Sequence, residues 1–187
     1  VTVFSPLKAY GAGPGKKVGV IGIGGLGHLG LQFAAALGAD VWAISHSERK
    51  RADALAMGAK GFIATGGSDA AVLKEHGNSF DMILCTSFQD GMPLQELYLP
   101  LLRPHGNMVV VGLPNEGVPR GGRALFGKSL TASLIGSVPD LYDMFEVAVK
   151  HGVKPWVETR PMSQASQAVQ DMEDGKSKYR YVLVNEQ

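Results

Sequence analysis

The sequence predicts an α/β protein built on a doubly wound, six-stranded parallel sheet, and three observations carry that expectation. Apolar runs bounded by turn residues alternate with longer helical stretches along most of the 187 residues. The first run passes straight into a G-x-G-x-x-G loop at Gly22, Gly24 and Gly27, and a small-residue helix follows over 29–37. The 25 glycines suit a fold with many tight strand-to-helix turns.

Taken in order, strands are expected at 17–22, 40–45, 60–64, 80–86 and 107–113, with helices near 25–37, 48–57, 68–76 and 91–103 between them. Spacers of that length serve right-handed crossovers, so the strands should be parallel and covered on both faces. A sixth strand is expected within 129–135, after a Gly/Pro-rich loop at 114–122, and then a helix from 139 to 151. Beyond it the pattern changes. Residues 155–159 read as a short strand, 163–174 as a helix and 179–184 as a last strand. These divide the chain into a cofactor domain over 1–152, opened by a linker helix, and a strand–helix–strand tail over 153–187 that stands outside the doubly wound unit.

The glycine loop points to a dinucleotide, because strand, loop and helix arrive in the required order. Gly22 permits the turn off the strand, Gly24 lets a pyrophosphate approach the backbone, and Gly27 lets the helix pack close to the sheet. Gly25 and Leu26 complete the candidate loop, and the helix N-terminus offers free N–H groups to phosphate.

The end of the second strand decides which dinucleotide. NAD-binding folds carry an acidic residue about 20 positions past the first glycine, where it accepts from the ribose hydroxyls. Here the strand ends at Ser45 and continues as His46, Ser47, Glu48, Arg49, Lys50 and Arg51, while Asp40 sits at the wrong end. Ser47 reads as a helix N-cap, which puts the three cations where they oppose the helix dipole. An adenosine 2′-phosphate would turn that penalty into attraction, with the serine hydroxyls as donors. The competing reading is a solvated basic helix face partly balanced by Glu48. NADP(H) is the expected cofactor.

Composition narrows the class further. Hydrophobic residues make up 45%, enough for a real core, and a net charge of +1 implies no nucleic-acid partner. No run approaches the roughly 18 apolar residues of a membrane span, and the first residues do not read as a signal peptide. A single cysteine excludes an internal disulfide and fits a reducing, cytoplasmic setting. Cys85 lies in an apolar strand and reads as core packing. His28, His46, His76, His105 and His151 show no metal-binding spacing, and His28 reads as a packing or surface residue of the loop helix. Trp42 and Trp156 read as packing groups.

Several stretches together carry a more specific resemblance. They are residues 2–7 (Thr-Val-Phe-Ser-Pro-Leu), 13–19 (Gly-Pro-Gly-Lys-Lys-Val-Gly), the loop 22–30, Ser45-x-Ser47-x-x-Lys50, Ile135-Gly136-Ser137 and Lys178-Tyr179-Arg180-Tyr181. Over nearly its whole length the chain resembles the C-terminal cofactor domain of zinc-dependent medium-chain alcohol dehydrogenases, in their cinnamyl-alcohol-dehydrogenase-like branch. His46 stands where relatives carry serine or arginine. The resemblance implies a Rossmann fold, reversible hydride transfer between the nicotinamide and an alcohol/aldehyde pair, and a homodimer joined through the sixth strand near residues 130–135. It also implies that zinc and its ligands belong to an N-terminal domain not included in this sequence. On that reading this chain holds no catalytic or metal residue, and alone it should not turn over substrate.

Further cofactor contacts follow from the same resemblance. Thr86 and Ser87 would stand at the adenosine-ribose edge, and Val111, Gly112 and Leu113 beside the nicotinamide. Ser133 and Ile135 would offer backbone groups to the carboxamide, Arg180 would touch the cofactor, and Thr2 would begin the linker helix and approach the nicotinamide side. Two other classes remain open. One is a zinc-free NADPH-dependent quinone or enoyl reductase, to be told apart by upstream cysteine and histidine ligands. The other is a non-catalytic nucleotide-sensing module, which usually keeps the acid that Ser45 replaces.

Overall fold

In the computed structural model, which describes residues 1–89, 91–112 and 125–185, six strands form one all-parallel sheet. They are β1 (Lys17–Ile21), β2 (Asp40–Ser45), β3 (Gly61–Ala64), β4 (Phe80–Cys85), β5 (Leu102–Val110) and β6 (Ser129–Ala132), in the order β3-β2-β1-β4-β5-β6. The order reverses direction between β1 and β4, which leaves a crevice beyond their carboxyl ends. This is the doubly wound Rossmann-type sheet expected from the alternation of apolar runs.

Period-two side chains sort onto two cores. Val18, Val20, Val41, Ala43, Leu84 and Val109 face one side, against α1 (Phe4–Ala9), α2 (Gly27–Ala36) and α3 (Arg51–Ala56). Ile21, Ile44, Ile83, Met108 and Val110 face the other, against α4 (Asp69–His76), the π-helical turn Leu94–Tyr98 and α5 (Leu99–Leu101). Gly30 brings α2 onto the sheet, since a Cβ there would meet Leu84 at 3.3 Å.

The segment expected as one helix over 91–103 is shorter and irregular. Pro100 has no N–H for the Glu96 carbonyl, which fits the wider π-turn just before it. The fifth strand begins earlier than its apolar core, because Leu102 already pairs with Phe80. The register then shifts through His105, whose φ is +64°, before Asn107 pairs with Met82.

A long helix, α6 (Val138–His151), carries a complete capping box between Ser137 and Asp140 and ends on left-handed Gly152. Ser5 Oγ donates to Asp140 at 2.9 Å, and Lys8 pairs with Asp143, so α1 and α6 are fastened side by side. The tail forms β7 (Val157–Pro161), α7 (Ala165–Glu173) and β8 (Arg180–Val184), with β7 and β8 paired in parallel as a separate two-stranded sheet. Arg160 ties it internally through Asp171 at 2.6 Å. No helix among the described residues is long and apolar enough to cross a membrane.

Candidate functional site

A cleft of 740 Å³ opens at the carboxyl ends of β1, β2 and β4, and the glycine loop forms its floor. Thr86 fixes the loop's entry, with its hydroxyl 2.7 Å from the Gly22 carbonyl and 3.0 Å from that of Ile21. Gly22 turns with φ of +84°, where a Cβ would also stand 2.4 Å from Ser87 Cβ. A Cβ on Gly27 would lie 1.8 Å from the Gly22 carbonyl oxygen, so only glycine lets α2 start this close to the strand end. Gly24 differs from both. A Cβ there would meet nothing within 4 Å, because that face of the loop opens onto the cleft.

Three successive loop carbonyls are bonded by side chains from elsewhere in the fold. Lys50 Nζ donates to Ile23, His28 Nδ1 lies 3.0 Å from the Gly24 oxygen, and Arg180 Nε donates to Gly25 at 3.0 Å. The N–H groups of Gly25 and Leu26 have no protein acceptor among the described residues. The loop therefore has occupied acceptors and free donors, the balance an anion requires.

The basic turn after β2 separates into distinct roles. Glu48–Lys50 form a 3₁₀ turn before α3, and Ser47 precedes it in extended conformation without a side-chain cap bond. Arg51 turns away: it pairs with Glu48 at 2.8 Å and stacks on Phe62 at 4.9 Å. Lys50 instead lines the cleft, 5.3 Å from the Tyr179 ring, with its pKa lowered by burial and by the neighbouring Arg49 charge. Ser45 and His46 also line the cleft, whereas Asp40 starts β2 at the opposite end.

The cleft therefore gathers Gly22, Gly24, Gly25 and Leu26 of the loop, Ser45, His46 and Lys50 of the second corner, and Thr86, Ser87 and Arg180. Gly27 and Ser47 support it without lining it. Thr2 lies two residues before α1, which starts at Phe4. Val111 is buried just past β5 and continues its ladder to Cys85, and Gly112 follows it. The Ser133 N–H is already spent on the Val110 carbonyl at 3.0 Å, so only its carbonyl is left to offer. Ile135 is exposed with φ of +55°. Leu113 and the loop 114–122 lie outside the described residues.

Sequence reasoning missed part of the lining. Thr65, Gln89 and Tyr98 all border the cleft, and the Tyr98 hydroxyl lies 3.3 Å from Thr65 Oγ1. Thr65 directly follows β3 and was findable from the rule that ligands gather beyond strand ends. Tyr98 had no such signal, because it arrives on the π-turn. Cys85 is fully buried, and burial pushes its thiol up to about 11, as expected of a core residue. Trp42 packs on His76 and Phe80, and Trp156 on Tyr179.

Comparison with known proteins agrees with this architecture. Residues 25–150 match the family model described as zinc-binding dehydrogenase. NADP-dependent alcohol dehydrogenase C 1 of Mycolicibacterium smegmatis is 37% identical over 185 residues, covering 98% of this chain and 52% of the relative. A cinnamyl alcohol dehydrogenase of Sorghum bicolor superposes with a TM-score of 0.87 at 36% identity, over 97% of this chain and 52% of that one. The CAD of Helicobacter pylori, solved in complex with NADP(H), gives a TM-score of 0.81 at 32% identity, over 98% and 52%. The chain thus spans about half the length of the curated relatives it matches. It belongs to the zinc-binding dehydrogenase family.

Proposed function

We propose that this chain is the NADP(H)-binding part of a zinc-type alcohol dehydrogenase that transfers hydride between NADPH and an aldehyde/alcohol pair. The carrying observation is the corner after β2, where the Lys50 ammonium reaches the glycine loop and no carboxylate ends the strand. The residues present fit a phosphorylated dinucleotide: the loop is open over Gly24, and its carbonyls are already occupied by Lys50, His28 and Arg180.

Bound nicotinamide would supply the hydride, and this chain's residues hold and orient the cofactor. Ser45, His46 and Lys50 hold the 2′-phosphate, and Ser47 supports that corner from outside the cleft lining. Gly22, Gly24, Gly25 and Leu26 receive the pyrophosphate, Gly27 lets the helix start close behind them, and Arg180 adds a further contact. Thr86 and Ser87 border the ribose, while Val111, Gly112, Leu113, the Ser133 carbonyl, Ile135 and Thr2 belong to the nicotinamide side. Zinc and its ligands belong, on this reading, to an N-terminal domain of the full protein.

That division is supported by apolar side chains left exposed outside the cleft. Val138, Tyr142, Phe145 and Val149 make an exposed stripe along α6, and Val169, Met172, Val182 and Val184 are exposed on the tail. We assign this face to the remainder of the enzyme, and the β6 edge to a two-fold mate that continues the sheet.

Calorimetric titration tests the cofactor assignment. NADPH should bind about tenfold to a hundredfold more tightly than NADH, the worth of charge-assisted hydrogen bonds to one phosphate. The preference should shrink as salt rises. Equal affinities, or a preference for NADH, would leave the basic turn as a solvated helix face.

A further inference from the structure

The buried histidine of the loop helix is not a surface residue, and its two ring nitrogens are both engaged. His28 is fully buried, with Nδ1 at 3.0 Å from the Gly24 carbonyl and Nε2 accepting from the Trp156 N–H at 3.2 Å. One neutral tautomer satisfies both contacts, with the proton on Nδ1. One turn along α2, Gln32 grips the same tail segment, since its amide donates to the Lys154 carbonyl at 2.9 Å and accepts from the Lys154 N–H at 3.1 Å.

The tail returns to this ring a second time. Tyr179 packs on His28 at 5.1 Å and on Trp156 at 5.7 Å. Its backbone sits at φ of +77°, a conformation a tyrosine adopts only when its surroundings hold it there. Its hydroxyl bonds Asp53 at 2.8 Å, Lys178 pairs with the same carboxylate at 3.0 Å, and Arg180 closes on Gly25. Gly24 thus has its open face in the cleft and its carbonyl on a ring that holds the tail.

We propose that His28 is a positioning residue that couples the cofactor loop to the C-terminal tail, so that filling the cleft tightens the docking of residues 154–156 and docking pre-shapes the loop. The proposal rests on the cofactor reading above for the identity of the ligand, but the two contacts do not depend on it. Such coupling is reciprocal by linkage: whatever the cofactor adds to tail docking, the docked tail returns to cofactor affinity. The tail carries the exposed apolar residues Val169, Met172, Val182 and Val184, so occupancy of the cleft would set how firmly the segment bearing them is held.

Three substitutions divide the two contacts. His28→Asn keeps a donor near the Gly24 carbonyl but cannot reach Trp156. His28→Gln reaches Trp156 as an acceptor but leaves Gly24. His28→Phe keeps the ring and loses both bonds. The measurements are amide exchange over residues 153–158 with and without NADPH, and NADPH titration. In the wild type, NADPH should slow exchange at Trp156, which does not line the cleft. His28→Phe should abolish that slowing and weaken NADPH by about three- to tenfold, the worth of one neutral hydrogen bond. His28→Gln should keep the ligand-free protection of Trp156 and His28→Asn should lose it, but in both NADPH should no longer slow exchange there and should bind more weakly, because breaking either contact ends the coupling.

Wild-type protection at Trp156 should also fall below about pH 6.5 as the ring takes a proton at Nε2, and His28→Phe should remove this dependence. The charged groups around the ring are Lys50, Arg180 and, behind Tyr179, Asp53, and imidazole alone among these side-chain types ordinarily titrates in that range. Unchanged affinity and unchanged slowing in His28→Phe would overturn the proposal. If His28→Phe does not fold, the other two variants decide: NADPH-dependent slowing at Trp156 that survives in either His28→Asn or His28→Gln overturns the proposal. If the wild type binds no NADPH, the cofactor reading fails; the latch is then judged on ligand-free protection of Trp156, which must drop in His28→Asn but not in His28→Gln.

Discussion

The glycine-loop corner and the C-terminal tail are both strand–helix units, yet they are finished differently. Around the loop, β1 is buried, α2 packs on the sheet through Gly30, and the carbonyls of Ile23, Gly24 and Gly25 all have partners. In the tail, β7 and α7 have their own ion-pair tie but turn Val157, Met162, Val169 and Met172 outward. The first unit is complete within the chain and open only where a small ligand fits. The second is tied by hydrogen bonds and ion pairs but leaves these apolar side chains exposed.

The largest effects should come from the loop's two kinds of glycine. Gly27→Ala puts a methyl group on the Gly22 carbonyl, so the loop must move. Unfolding in urea should show a loss of about 1–3 kcal/mol, and NADPH affinity should drop on the order of a hundredfold as loop N–H groups leave the phosphates. Gly24→Ala meets nothing in the free protein, so its urea midpoint should stay within about 0.5 kcal/mol while NADPH binding still weakens. A stability loss at Gly24 equal to that at Gly27 would break the distinction between a packed glycine and a ligand-facing one.

Next in size is the second-strand corner. Ser45→Asp combined with Lys50→Ala supplies a ribose acceptor and removes the counter-charge, and titration should find NADH preferred over NADPH. Retained NADPH preference in the double variant would move the phosphate site away from Lys50.

Smaller effects are expected on the outward face. Phe145→Lys with Met172→Lys should reduce concentration-dependent self-association in sedimentation and leave NADPH affinity unchanged, because neither residue borders the cleft. Loss of NADPH binding in that variant would mean that the apolar face supports the loop after all.

The smallest separates the tail's docking from its own fold by pH. Burial holds the His28 pKa below the ordinary histidine value, so the folded chain binds that proton less readily than the unfolded one. Its contribution is full above about pH 6.5 and is lost as pH falls through the folded value. Asp171 is held down at about 2, first by its hydrogen bond to Arg160, so the tail's internal tie persists far below that range. Exchange measured between pH 7 and pH 4.5 should therefore show Trp156 losing protection while the β7–β8 amides keep theirs. Simultaneous loss of both would make docking and folding of the tail one event.

The sequence by itself determined the sheet, the glycine loop and the second-strand corner, because each is written in local chemistry. Buried parallel strands read as apolar runs, the turn at Gly22 needs a residue free to take positive φ, and the missing acid after Ser45 is visible in one line of sequence. Only the tertiary structure decided which cation serves the cleft: Lys50 and Arg51 are adjacent, but one reaches the loop and the other stacks on Phe62. It also turned His28 from a packing or surface residue into the link with Trp156, 128 positions away, and brought Tyr98 and Gln89 to the cleft. Strands and turns follow from neighbours a few residues apart, whereas a side chain's partner across the fold depends on how whole layers stack, which no local pattern records.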